Sequence, residues 1–575
     1  MSRPRWPALL LLLLPGCGEE GGGELRFAGL ADAECGAGAT ALFGKVPVRL
    51  ALAGDGKLEQ VSLTVDGGQA IEDKQTPFQF ELDTSQLADG NVVLEATGKL
   101  VDGGERSATI RICVDNNGPK LELLAPAAGS TGLRAEDAVL TVRARATDPS
   151  GLELVTASLH AGGSFQHADC TPPGVPDLTC SLEPARLSLP LQPNQTIEAQ
   201  LVVTARDKLG RESRLDRPLT LGTRLLWSHH VGAPVQWGAV VSPKGLVIVG
   251  TDAGTVVVVD TQSLQTSCTF TAPAVNGKAD SVATPLTLSA DGSSLYFATL
   301  NNLYAVSPDT CNKLWSATGL FAASQPALDE IAGVVYIGSY GTQAESGSLR
   351  AYGAASGSLL GSHAIAPVDE GVTSSPALTT DGQRVYIGSS DFQLYAVDVS
   401  KPAQMVDLWA YATAGKVETR PLVTPSRVYV AGSGKDSAIH AVDQGGQRDT
   451  AFNFSAQAGF FSSPRLGPGG LIYAGSLDGK LYAVDATSGK TVASYDTGRM
   501  IRAEPAFGPD GSVLAVSVDP GRLYAFTDKL ALLWSAAPVA ASEQIKASPV
   551  ISGTAAYIVT TNGYLHAYDA SAPGS

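Results

Sequence analysis

The sequence predicts an all-β fold in which two β-sandwich domains precede a ring of repeated four-stranded units. Three observations predict it. The stretch LIYAGSLDGKLYAVD (471–485) reads as a hairpin: two apolar runs rich in Tyr, Val and Ile flank Asp478-Gly479, a dipeptide suited to a tight two-residue turn. It returns as LVIVGTDAGTVVVVD (246–260), VYIGSSDFQLYAVD (385–398) and AYIVTTNGYLHAYD (556–569), and repetition at a fixed period decides a fold class. Composition agrees, because Gly 63 and Pro 34 with only 17% charged residues suit short strands joined by turns. Finally, residues 25–115 alternate apolar and polar in runs such as VSLTVDG (61–67), FQFELD (78–83), NVVLEATG (91–98) and ATIRICVD (108–115), as a sandwich does.

A chain of 575 residues exceeds what one hydrophobic core serves. The expected divisions are a signal segment 1–17, a tether 18–24, sandwich domains 25–118 and 119–222, and a repeat domain 223–575. A net charge of −16 repels phosphate backbones, which argues against a nucleic-acid partner.

The first residues carry an address. Arg3 and Arg5 precede the apolar run Ala8 to Leu14, an export signal too short to span a bilayer. The tetrapeptide LPGC (14–17) then resembles the lipobox of bacterial lipoproteins, in which the cysteine is acylated and becomes the new N-terminus. That resemblance makes Cys17 the lipid anchor, GEEGGGE (18–24) a flexible tether, and the cell envelope, with the outer membrane favoured by Gly18, the location. The remaining Cys35, Cys113, Cys170, Cys180, Cys268 and Cys311 are even in number, as an oxidising compartment favours. Sequence leaves their connectivity open, while domain membership suggests 35 with 113, 170 with 180 and 268 with 311.

In the first sandwich, TPFQFELDTSQLADGNVVLEATGKLVDGG followed by VDNNGP resembles bacterial Ig-like domains. A second copy is expected at 119–222, where AVLTVRARATDPSGL (138–152) and AQLVVTARDKLGR (199–211) each run from a strand into an Asp turn. Asp115-Asn116-Asn117 at the junction offers oxygens that suit a hard cation. An ordinary interdomain turn uses the same residues, and a site would need Asp148 or Asp207 alongside, so no metal is assigned.

From Leu225 onward the repeat is registered on Asp260, Ser307, Gly353, Asp398, Asp443, Asp485, Thr527 and Asp569, at spacings of 47, 46, 45, 45, 42, 42 and 42 residues. Four short strands with their turns occupy about that length, so the reading is an eight-bladed β-propeller. Prolines 285, 326, 376, 421, 464, 505 and 549 open the expected innermost strands, with Gly238-Ala239 in their place in the first unit. Trp315, Trp409 and Trp534 mark the outermost strands, with Cys268 in the tryptophan's place in the first unit. The last unit lacks sequence for an outer strand, and LLWSHHV (225–231) is expected to supply it and close the ring.

The combination of VYIGS, DGxLYAVD, a small-residue turn and LLWS resembles the PQQ-like repeat of quinoprotein dehydrogenases and BamB-type assembly lipoproteins. Quinoprotein dehydrogenases hold their cofactor with adjacent cysteines, calcium and a catalytic aspartate. No adjacent cysteines exist here, and the repeat-ending aspartates read as turn residues. GxSxG, HExxH and GxxxxGK[ST] patterns are missing from the sequence. His229 and His230 are consecutive on a strand and so face opposite ways. The expectation is therefore a non-catalytic envelope lipoprotein, without cofactor, whose propeller binds a protein or glycan partner from an Ig-like stalk; a quinone-dependent dehydrogenase is the alternative. Binding is expected at the channel mouth beside the inner-strand prolines, at Trp237, Thr284, Gln325, Ser375, Arg420, Ser463, Glu504 and Ser548. Of these, Trp237, Arg420 and Glu504 carry the most chemistry.

Overall fold

A computed structural model describes residues 23–573 except 37–39, 128, 131, 172–175, 190, 322–323, 342–344, 369 and 538–542. Cys17 lies outside the described residues. Among those described there is no α-helix, only strands and four short 3-10 segments.

The N-terminal unit pairs Glu24–Ala28, Lys45–Ala53 and Gln79–Asp83 in one sheet and Ala41–Leu42, Leu58–Val65, Ile71–Asp73, Gly90–Leu100 and Glu105–Val114 in another. Alternate residues, among them Leu25, Phe27, Leu63, Phe80 and Leu94, meet between the sheets. The first strand thus begins inside the stretch read as tether, because Leu25 and Phe27 alternate into this core. The second unit repeats the plan with Lys120–Ala125, Leu140–Thr147 and Asp177–Leu182 facing Leu152–Ala161, Ser164–Asp169, Thr196–Asp207 and Glu212–Gly222.

Eight four-stranded antiparallel sheets follow. Sheets 1 to 7 occupy 240–271, 287–318, 327–368, 377–412, 422–455, 465–496 and 506–536. Sheet 8 joins 550–569 to Leu225–His230, whose Ser228 and His229 stand opposite His566 and Leu565. Each sheet is covered on both faces, so consecutive residues such as Ile472, Tyr473 and Ala474 are all buried and the apolar runs are continuous rather than alternating. A separate apolar cluster fills every gap between consecutive sheets, and another joins sheet 8 to sheet 1 through Val231, Val247, Val257, Tyr557 and Leu565.

The hairpin at 471–485 differs from the two-residue turn expected. Its strands end at Gly475 and restart at Lys480, and of Asp478 and Gly479 only the glycine has positive φ, at 91°. Asp478 serves instead as an acceptor, its Oδ1 for the Lys480 amide at 2.9 Å and its Oδ2 for the Tyr482 hydroxyl at 2.7 Å. The repeat-ending aspartates are turn residues as read: Asp260, Asp398, Asp443, Asp485 and Asp569 each accept amides two to four residues ahead.

The repeat's aromatic marks seal one sheet to the next. The Trp315 indole of sheet 2 donates to the Ala354 carbonyl of sheet 3 at 2.7 Å, and Trp409 of sheet 4 to Gln444 of sheet 5 at 3.0 Å. Each indole lies so close to the next turn's glycine that a Cβ on Gly357 or Gly446 would collide with it, and both glycines have positive φ. Between sheets 1 and 2 the same two places are held by Cys268 and Cys311, joined as a disulfide. The other pairs are Cys35–Cys113 and Cys170–Cys180, as domain membership suggested. A tyrosine of the second strand in sheets 2 to 6 adds a further tie: the hydroxyls of Tyr296, Tyr336, Tyr386, Tyr429 and Tyr473 all reach acceptors in the turn of the following sheet.

The second unit is welded to the sheets rather than strung from them. Ala138 N donates to Leu533 O at 2.9 Å and Ser535 N to Glu136 O at 3.1 Å, which extends sheet 7 by a strand edge. Beneath this, the Arg224 guanidinium is buried against Asp137 at 2.7 Å and lies 4.8 Å from the Trp534 ring centre.

Candidate channel-mouth site

The inner strands are short, and the residues leading into them are extended, so side chains two apart face the same way. All eight positions expected at the mouth line one cavity of about 630 Å³. Their register needs one correction. Val240 stands opposite Ile248 and Thr287 opposite Tyr296, in the way that Ala327 stands opposite Tyr336 and Val550 opposite Tyr557. Ala239 and Leu286 therefore hold the proline's place in sheets 1 and 2, and Trp237 and Thr284 sit one residue earlier than the other six. Thr284 is buried and accepts the Ala298 amide at 3.1 Å, as Ser324 and Ser374 do for Gly338 and Gly388. Trp237 has no room in that small niche, and its ring is partly exposed on the cavity wall.

The serines of the set are structural links. Ser375, Ser463 and Ser548 accept the backbone amides of Gln325, Arg420 and Glu504, so each ties its own sheet to the preceding one. The larger side chains of those donors are left to face the cavity. Gln325 is held by the Leu286 carbonyl at 2.8 Å, and Glu504 accepts from Arg465 at 3.2 Å. The Arg420 side chain is exposed and has no hydrogen-bond or ion-pair partner among the described residues.

Sequence reasoning missed a second ring of residues, two positions before the first. Gln236, Glu418, Phe461, Arg502 and Lys546 line the same cavity, and the period of two from Arg420, Ser463, Glu504 and Ser548 was the signal that would have found four of them. Glu418 accepts the Ser433 hydroxyl at 2.6 Å, Arg502 lies 4.4 Å from the Phe461 ring centre, and Lys546 donates to Gln236 at 3.3 Å. The mouth thus gathers Arg420, Arg465, Arg502 and Lys546 against two carboxylates, in a chain whose net charge is −16. Cations in a concave, partly apolar wall favour an anionic ligand group.

Two other clusters draw attention. His566 bridges Glu543, at 3.0 Å, and Ser228, at 2.7 Å, and His440 bridges Asp436 and Tyr411 in the same manner. Ser228 lies on the outermost strand of sheet 8, opposite the channel-lining strand, so the arrangement reads as a satisfied buried histidine. His229 and His230 diverge as expected, one bonded to Thr266 and the other edge-on to Tyr564. At the first interdomain junction, Asn116 and Asn117 turn back to Thr84 and Asp89. Asp148 and Asp207, which nothing in the sequence places beside Asp115, do come together with it.

The Mycobacterium tuberculosis protein Rv3035 is 29% identical over 177 residues, which cover 28% of this chain and 40% of that protein. The chain therefore spans less than half the length of that curated relative. Among solved structures, BamB from Moraxella catarrhalis shares 13% identity at a TM-score of 0.47, covering 60% of this chain and 99% of its own. The C-terminal WD40 domain of Sif2 shares 12% at 0.49, covering 60% and 98%. The family described as outer membrane protein assembly factor BamB matches residues 214–403 and 345–571, well over half the chain. On that match, and with sheets repeating as its PQQ-like units do, the chain belongs to the BamB-type family of PQQ-like propellers.

Proposed function

We propose that the protein is a lipid-anchored scaffold of the cell envelope. Its eight sheets close into an eight-bladed propeller through Leu225–His230, and its two N-terminal units act as an Ig-like stalk. The closure is supported by the pairing of that strand with Tyr564–Asp569 and by the apolar cluster shared by sheets 8 and 1. Anchoring at Cys17 is supported by the LPGC motif, and an outer-membrane address by the family. The observation that carries the binding reading is the mouth itself, where Arg420, Arg502 and Lys546 lack a carboxylate partner among the described residues, with Trp237 exposed beside them. A scaffold that presents cations and an indole at a ring mouth takes up an acidic protein segment; the family's role in outer-membrane assembly suits such a partner. The channel's chemistry offers no support for the quinone alternative, since Cys268 and Cys311 lie on the outer strand and an outer turn.

One fractionation experiment tests both halves. Cys17→Ser should move the protein out of carbonate-washed membranes. Trp237→Ala/Arg420→Ala/Arg502→Ala should stay anchored yet lose, by at least tenfold, the envelope proteins that cross-link to the wild type. A Cys17→Ser protein that remains membrane-bound defeats the anchor, and undiminished cross-linking by the triple variant defeats the mouth.

A further inference from the structure

We propose that Asp115, Asp148 and Asp207 form a calcium site that fastens the N-terminal unit to the second. Three chain segments meet there. Asp115 follows the strand Glu105–Val114, which is pinned by the Cys35–Cys113 disulfide and by the Asp115 amide donating to Leu42 O at 3.0 Å. Asp148 opens the turn after Leu140–Thr147, and Asp207 opens the turn after the strand it ends. Lys208 N donates to Gly151 O at 3.0 Å, which ties those two turns together, so two aspartates come from one unit and the third from the other.

One carboxylate oxygen of each residue lies within 4.8 Å of the others. Oxygens on opposite sides of one Ca²⁺, each at about 2.3–2.6 Å, stand about 5 Å apart, so the three fit around a single ion. Proximity alone would not suffice, because acidic residues cluster at turns for other reasons. The decisive feature is what the oxygens lack. Asp115 is fully buried; its Oδ2 has no hydrogen-bond partner, and neither has the buried Oδ2 of Asp148. A buried carboxylate left in this state is costly unless a charge compensates it.

Arg211 supplies only part of that charge. Its Nε donates to Asp207 Oδ2 at 2.8 Å and its Nη1 to the Asp115 carbonyl at 2.8 Å, while Nη2 is pressed against Asp115 Oδ1 without hydrogen-bonding geometry. Asp207 Oδ1 is taken by the Leu209 and Arg211 amides, and Asp148 Oδ1 by Ser150. One guanidinium therefore faces three carboxylates, and the two free oxygens point to a divalent ion. An all-oxygen set without imidazole or thiolate selects a hard cation over zinc. Calcium's tolerance of irregular geometry suits ligands drawn from two units better than the strict octahedron of magnesium.

The test uses the full chain, stripped with EGTA and titrated with CaCl₂ by calorimetry, with thermal unfolding followed in parallel. One ion should bind per chain, with a dissociation constant on the order of 0.1–1 mM, the range of extracellular modules, and the first thermal transition should rise. Asp148→Asn and Asp115→Asn, which keep side-chain shape, should each weaken binding at least tenfold, while Asp102→Asn at an exposed turn leaves it unchanged. MgCl₂ should bind at least tenfold more weakly than CaCl₂. The proposal falls if no saturable binding is seen, or if both isosteric variants bind calcium like the wild type. It falls equally if the wild-type transition ignores calcium.

Discussion

Both junctions between successive units set an arginine among acidic residues, yet they leave those groups in different states. At the second junction all three guanidinium nitrogens of Arg224 are used, on Asp137 Oδ1 at 2.7 and 3.1 Å and on the carbonyls of Asp569 and Ser571 at 3.0 and 2.7 Å. Glu136 is likewise satisfied by Thr223 Oγ1 and the Arg224 amide. At the first junction Arg211 is outnumbered and two carboxylate oxygens stay bare. The difference lies in the carboxylates: the oxygens of Glu136 and Asp137 are all bonded, although Arg134 Nε beside them has no partner, whereas Asp115 and Asp148 each keep a bare oxygen. A buried ionic cluster fixes a junction by itself only where its carboxylates are met.

The largest expected effect breaks the closed cluster. Arg224→Met keeps most of the side-chain volume but strands Asp137, which should cost about 3–5 kcal/mol of stability by urea unfolding. Adding Asp137→Asn should return a substantial part of that loss, because the stranded charge goes with it. Strictly additive losses in the double variant would show that packing against Trp534, not charge pairing, holds this junction.

The open cluster should answer with the opposite sign. In EGTA, Asp115→Asn removes a buried charge that lacks a full complement of partners, so stability should equal the wild type's or exceed it by about 1 kcal/mol. In saturating calcium the order should reverse. A loss in EGTA as large as that of Arg224→Met would mean that the two junctions do not differ, and the comparison would fail.

How much of this was legible in the sequence follows from the range over which each signal acts. The repeat's period, the inner prolines and the outer tryptophans are local marks, and the residues they single out fall in the repeated sheets and along one cavity wall. The same marks misplaced Trp237 and Thr284 by one residue, because Pro285 stands a residue early and sheet 1 has Ala239 where sheets 3 to 8 have the inner proline. Glu418, Arg502 and Lys546 were within reach by alternation from Arg420, Glu504 and Ser548, but the proline drew attention only to its immediate neighbour. The Asp115 cluster was beyond reach in another way: the Asp turns at 148 and 207 were visible singly, while their meeting depends on the pairing of strands 140–147 and 196–207 with different partners and on the docking of a separate unit.

The smallest expected effect concerns the tyrosine ties between sheets, whose donors and acceptors are uncharged and so complete the comparison. Tyr473 donates to Asp528 O at 2.7 Å and Tyr336 to Val399 O at 3.4 Å. Burial first, and then the charges of Asp528 and Asp329 respectively, push both phenols up to about 12. The unfolded value is about 10, so the folded form holds the proton more tightly. This contribution is therefore fully present below about pH 10 and is lost as pH rises through about 12. Tyr473→Phe should cost about 1 kcal/mol at pH 8 and flatten the loss of stability between pH 10 and 12; Tyr336→Phe, with the longer bond, should cost less. Neither effect should depend on salt, whereas calcium binding at the Asp115 cluster should weaken as salt rises. An alkaline limb that stays equally steep in Tyr473→Phe would place the sensitivity elsewhere and remove the neutral seam from the comparison.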